Sequence, residues 1–285
     1  MLPIFYMLEK ELIEHKIVTR LPLFLVSVGL FILAAMVLNA NGSNNVSFEF
    51  NYQGDISESA ANLSQGIRSA ISVAAGAVSI LLSLIYLPKT FRKARQEGSI
   101  MFWRSMPVSD VLQYMVKLAF ALLVIPLICS LMLLSAELLL WFISLISAQD
   151  ITAFTGSNSL FLTAVHWLTF IAKMLLVSIA MLPLACLLLA VSQVVNSPLL
   201  VVVTGIYTIK ILCSVVFGFG IVAAFIERVS SLPMTILFSS RPLHTLLQVG
   251  SGCAFFAALL TAIFIMASLS FSKYGKLNIR ALFSR

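Results

Sequence analysis

Apolar residues in this chain run in long blocks separated by short polar stretches. A helix needs about 20 apolar residues to cross a bilayer. On that measure the pattern predicts six membrane-spanning helices, at about 21–39, 67–87, 118–146, 160–190, 199–225 and 249–271. Residues 1–20 read differently. Phe5, Leu8, Leu12, Ile13 and Ile17 recur at helical spacing, and Glu9, Lys10, Glu11, Glu14 and Lys16 fill the opposite face. Such a segment lies in the membrane interface rather than across it. With Pro22 following, it reads as an interfacial elbow leading into the first span.

Two spans carry further signals. The 67–87 span holds Ser72, Ala75, Gly76, Ser79 and Ser83, and small residues three and four apart let a helix approach a neighbour closely. The 160–190 span contains Pro183 and is longer than a bilayer needs. Between 226 and 248 the apolar runs are short and broken by Pro233 and Pro242, which predicts surface helices or a re-entrant dip on the outer side. Cys129, Cys186, Cys213 and Cys253 all fall in apolar blocks, where cysteine packs as a small hydrophobe.

The one sizeable basic segment between spans is 88–117. It holds Lys89, Arg92, Lys93, Arg95, Arg104 and Lys117 against Glu97 and Asp110. Its pattern predicts a helix over about 89–97, a break at Gly98-Ser99 and a short apolar piece from Ile100 to Trp103. A corner at Pro107 follows, then a helix capped by Ser109 or Asp110. Exposed Phe102 and Trp103 on an ordered hinge make a docking surface.

Composition places the chain in one class. Hydrophobic residues make up 60% and charged residues 10%, against about 25% charged in soluble proteins. The expectation is an all-α integral membrane protein with residues 1–285 as a single domain. Its net charge of +7 reflects loop orientation and attraction to anionic lipid rather than nucleic-acid binding. Thirteen of the eighteen Lys and Arg fall in 1–20, in 88–117 and after 271. Both termini and the basic loop are therefore expected on the cytoplasmic side of the cytoplasmic (inner) membrane.

No G-x-x-x-x-G-K-[ST] phosphate loop is present, and no glycine fingerprint of a dinucleotide site. His15, His166 and His244 map to different depths, so no catalytic or metal grouping converges. The chain is expected to be no enzyme and to hold no cofactor or metal of its own. Ionisable residues inside spans are the exception to this blandness. Glu137, Lys173 and Lys210 sit where a charge costs about 2.5–3.5 kcal/mol. Glu137 and Lys173 lie at similar depth on consecutive helices, which suits either a register-fixing pair or a translocation pathway. Lys210 has no partner at its own depth in the sequence pattern and reads as cavity lining.

The run Arg95-Gln-Glu-Gly-Ser-Ile-Met-Phe-Trp-Arg-Ser-Met-Pro-Val-Ser109, with Lys117 eight residues on, resembles the cytoplasmic loop of ABC-2-type transporter permeases. Glu97, Gly98, Ser99, Pro107, Val108, Ser109 and Lys117 match that loop, and Met106 stands where Leu is commoner. About twenty residues carry the specific likeness; the interfacial helix, six spans and a broken outer segment are similar in plan. The resemblance implies the membrane subunit of an exporter. Two permeases, identical or different, would surround a pathway within the lipid bilayer. Separate ATPase subunits would bind ATP and Mg and dock on a cytoplasmic coupling helix. It assigns that coupling to Arg95, Glu97, Gly98, Ser99, Phe102, Trp103, Arg104 and Pro107, and leaves the substrate open. Two other classes fit the composition: a non-transporting membrane scaffold or assembly factor, and an ion-coupled secondary carrier. The carrier is disfavoured because no paired, pseudo-symmetric broken spans appear.

This topology makes a direct prediction. Single cysteines at positions 45, 155 and 235 should react with an impermeant reagent from outside, and cysteines at 93 and 280 should not. Labelling of position 93 from outside would overturn the six-span arrangement.

Overall fold

The computed structural model describes residues 2–40, 56–96, 109–146, 160–195, 197–216, 218 and 220–274, and among these it is helical with no strand. Helices α1 (Leu2–Glu14) and α2 (Lys16–Ala40) are followed by the long α3 (Ile56–Gln96). Next come α4 (Asp110–Ala119), a π-helical turn (Phe120–Val124) and α5 (Ile125–Ile146) in unbroken succession. After α6 (Leu160–Ser192) the chain forms α7 (Pro198–Ile211), which ends in a second π turn (Leu212–Val216). The last elements are α8 (Gly220–Phe238), α9 (Pro242–Leu247) and α10 (Ser251–Tyr274).

Among the described residues, six helical segments are long and apolar enough to cross a membrane: 65–91, 110–142, 160–192, 198–215, 220–238 and 251–270. A seventh candidate is the bent pair of α1 and α2. The set differs from the sequence expectation in three places. The expected first span, 21–39, is not one of the six and passes only together with α1, as the bent pair. The stretch expected as one span over 199–225 is two helices, and residues 226–238 belong to a 19-residue helix rather than to short surface pieces. Gly218 explains the division. It adopts φ 66°, a left-handed conformation open to glycine at little cost, and this turns the chain back on itself. Pro233 does not end α8; it lies buried within it. Likewise the N-terminal break falls at His15, and Pro22 sits inside α2.

The chain divides into two compact units. One comprises residues 1–15, 80–125 and 173–285, and its core includes Leu82, Tyr86, Leu87, Phe120, Ile125, Leu188, Leu189, Ile236 and Leu237. The other comprises 16–79 and 126–172, with Ala75, Cys129, Leu133 and Phe170 buried. Of the small residues expected to form a packing face on α3, Ala75, Gly76, Ser79 and Ser83 are buried and Ser72 is half-buried. All four cysteines are free; Cys129 and Cys186 are buried, whereas Cys213 and Cys253 are half-buried.

Apolar helices leave their hydroxyl side chains little to bond except their own backbone. Ser27, Ser69, Ser72, Thr208 and Ser270 accordingly donate to carbonyls three or four residues earlier. The π turn at Phe120–Val124 uses hydroxyls otherwise. Pro126 has no N–H, so the carbonyls four and five residues before it lose their intrahelical donor. Those carbonyls are Leu122 and Ala121. Ser178 of α6 donates to Leu122 O at 2.5 Å, and Ser83 of α3 donates to Ala121 O at 2.8 Å. At the start of α4, Ser109 is the cap, its Oγ accepting from Leu112 N at 3.3 Å.

Removing either π-turn hydroxyl strands a buried carbonyl, at a cost of about 1–3 kcal/mol. Ser83→Ala and Ser178→Ala should therefore each lower the thermal unfolding midpoint in detergent. Ser69→Ala, on an exposed face, should leave it unchanged. Midpoints for all three equal to the parent would refute the role given to the two hydroxyls.

Candidate functional site

The polar centre of the first unit is a buried ion pair between residues 106 positions apart. Lys117, on the last turn of α4, places its Nζ 2.8 Å from Glu11 Oε1 on α1; the side chains are 12% and 5% exposed. The other carboxylate oxygen accepts from the Tyr86 hydroxyl of α3 at 2.7 Å. His15 Nε2 lies 3.6 Å from that same oxygen. Aromatic rings wall the group. Tyr86 meets His15 edge-on at 4.7 Å between centroids and Phe120 at 4.8 Å, and Lys117 Nζ sits 5.1 Å from the Phe91 ring centre. Burial opposes a charge on Glu11, but Lys117, Tyr86 and His15 together outweigh it and hold the carboxyl below its ordinary value.

Sequence periodicity placed Glu11 on the polar, water-facing side of an interfacial helix. The structure turns Glu11 inward and leaves Glu9 and Glu14 of that face exposed. Glu11 is the buried residue of α1, while Phe5, Tyr6 and Ile13 are exposed at 72%, 66% and 59%. The pair ties α1 to the two helices that flank the basic segment, because α3 leads into 97–108 and α4 leads out of it. Of the residues expected to couple to an ATPase, Arg95 lies on the last turn of α3. Glu97, Gly98, Ser99, Phe102, Trp103, Arg104 and Pro107 lie outside the described residues.

The arrangement holds α1, α3 and α4 together. Glu11, Glu14 and His15 bring ligand atoms within 4.8 Å of one another. Both Glu11 oxygens are already engaged, however, and the Lys117 ammonium would repel a cation at the same carboxylate.

The intramembrane charges are partnered differently from the sequence expectation. In the second unit, Glu137 on α5 is 4% exposed and bonds through Oε1 to His166 Nδ1 on α6. Its Oε2 has no hydrogen-bond partner among the described residues. His166 and Lys173 are seven residues apart on α6, hence on one side and about 10 Å apart along the axis. The acid expected beside Lys173 meets the imidazole of His166 instead. Half-buried Lys173 forms no ion pair among the described residues. Lys210, expected to lack a partner, pairs with Glu227 of α8 at 2.9 Å. A continuous helix would separate 210 and 227 by about 25 Å; reversal of the chain at Gly218 brings them together.

No family model, curated protein or solved structure matches this chain.

Deleting one partner of a buried ion pair leaves an uncompensated charge, which costs about 3–5 kcal/mol, whereas apolar replacement of both is often close to neutral. Glu11→Leu and Lys117→Met should each destabilise strongly in detergent, and the double variant should lose much less than their sum. Additive losses would show that the two side chains act independently.

Proposed function

We propose that this chain is the membrane-spanning permease subunit of an ATP-binding-cassette exporter of the ABC-2 type, with ATP hydrolysed by a separate subunit. The observation that carries the reading is the position of Lys117. It is the last residue of the loop motif, and it reaches neither solvent nor lipid but Glu11, beside Tyr86. A basic segment that served topology alone would have no need of a buried, desolvated anchor at its root.

In this reading the ATPase docks on the 88–105 segment, with Phe102, Trp103 and Arg104 as anchors and Gly98 and Pro107 setting the angle. Closure of the ATPase on ATP pushes on the roots of the segment. Tyr86 on α3 and Lys117 on α4 share one carboxylate, so both roots move together and carry α1 with them. The π turn directly beyond Lys117 is a point where a helix departs from ideal geometry, and it suits a place where that push bends the span. The exposed apolar face of α1 rests in the interfacial lipid. Both termini lie on the cytoplasmic side of the inner membrane, and a second permease, the same chain or another, completes the pathway.

Aromatic and Arg anchors at the centre of an interface typically cost about 2 kcal/mol or more when truncated. Trp103→Ala and Arg104→Ala should leave insertion intact yet weaken co-purification of the ATPase subunit or uncouple its hydrolysis from transport. Gly98→Pro should be worse, because it fixes the break that sets the helix angle. Pull-down, ATPase and transport assays in membranes check this. If all three variants match the parent, the segment is only a topology anchor and the reading fails.

A further inference from the structure

We propose that Lys173 of α6 anchors the head of an acidic amphipath, a molecule carrying one carboxylate or phosphate on an apolar body. Such a site needs neither an ATPase nor a paired subunit, so it stands apart from the exporter reading.

Depth sets the problem. Tyr114 of α4 adjoins Cys186 of α6, and Ser178 of α6 donates to Leu122 O, so the two stretches run antiparallel. Leu122 lies five residues past Lys117, and Lys173 lies five residues before Ser178. At about 1.5 Å per residue, Lys173 stands about 15 Å from the level of Lys117. Lys117 marks the root of the basic segment, and a bilayer core is about 30 Å thick. The Lys173 ammonium is therefore near mid-membrane, too deep for its stem to snorkel to either surface. It is half-buried and forms no hydrogen bond or ion pair among the described residues.

The chain has no acid to spare for it. Of 11 acids in the sequence, only Glu137 and Glu227 lie inside the apolar segments away from their ends. They already hold His166 and Lys210. A second copy of the chain would bring the same two acids and no others at such depth. Lipid tails offer an ammonium nothing to bond, and an ordinary phospholipid keeps its head at the surface.

The face around Lys173 shows how a smaller ligand fits. Val177 and Ala180, on the next turns of the same face, are buried, whereas Thr169, Val165 and Leu162 on the other side are exposed. Lys173 thus stands at the closed end of a strip that is open and mostly apolar beyond it. An acidic head bonds the ammonium, and the apolar body lies along the open strip. A free inorganic anion would give up its water and gain no such contact.

The test uses the full-length chain in phosphatidylcholine nanodiscs, titrated with dansyl-undecanoic acid, whose fluorescence rises in an apolar site. Signal from empty nanodiscs is subtracted. The parent should bind saturably, and Lys173→Met should weaken binding by about tenfold or more. Lys173→Arg keeps a fixed cation and should stay within about threefold of the parent. Lys16→Met, exposed on α2, should change nothing. Competition separates the two head groups. Lauric acid and lysophosphatidic acid should both displace the probe, the stronger competitor identifying the preferred head, while dodecanol should not. Because Lys173→Met removes an unbonded charge from an apolar span, its thermal unfolding midpoint should equal or exceed that of the parent. A lower midpoint would show that the ammonium is bonded within the chain, and would overturn the site. So would an absence of saturable binding, Lys173→Met binding like the parent, or equal competition by dodecanol. A loss in Lys173→Arg or Lys16→Met as large as that in Lys173→Met would overturn it too.

Discussion

The Glu11–Lys117 pair is the constraint on which the first unit depends. Two opposite charges held almost wholly out of water are stable only when their remaining bonding capacity is met. Here Tyr86 supplies a hydroxyl to the second carboxylate oxygen, His15 lies beside it and Phe91 offers its ring face to the ammonium. Satisfying that centre dictates the rotation of three helices at once. α1 must turn Glu11 inward, which sends Phe5, Tyr6 and Ile13 outward; α3 must present Tyr86; and α4 must present Lys117 in its last turn.

Just beyond that centre the backbone itself is short of partners, and the second requirement follows from one residue. Pro126 deprives Ala121 and Leu122 of an intrahelical donor inside an apolar span, where water cannot substitute. Ser83 and Ser178 arrive from two other helices to fill the gap. The π turn is thereby gripped on two sides.

The charges deeper in the apolar segments obey the same rule with different degrees of closure. Glu137 is enclosed and takes His166; Glu227 is exposed and takes Lys210. Each acid has a base within reach, which offsets the cost of ionisation away from water. Lys173 forms no ion pair among the described residues. The two pairs thus differ in how far their own chain encloses them.

Much of the architecture was legible in the sequence because hydropathy is a local property. Apolar length alone located α3, the α4–α5 run, α6 and α10, small-residue spacing located the buried face of α3, and Ser109 was identifiable as a cap. Residues 97–108 of the basic segment lie outside the described structure. What the sequence could not express were pairings across distance. Glu11 with Lys117, Glu137 with His166 and Lys210 with Glu227 span 106, 29 and 17 positions. Each depends on how one helix is rotated about its axis against another, and periodicity within a single helix is silent on that. It grouped Glu11 with Glu9 and Glu14, of which Glu11 alone is buried. Only the tertiary structure decided that, by offering Glu11 the one environment where its charge is bonded.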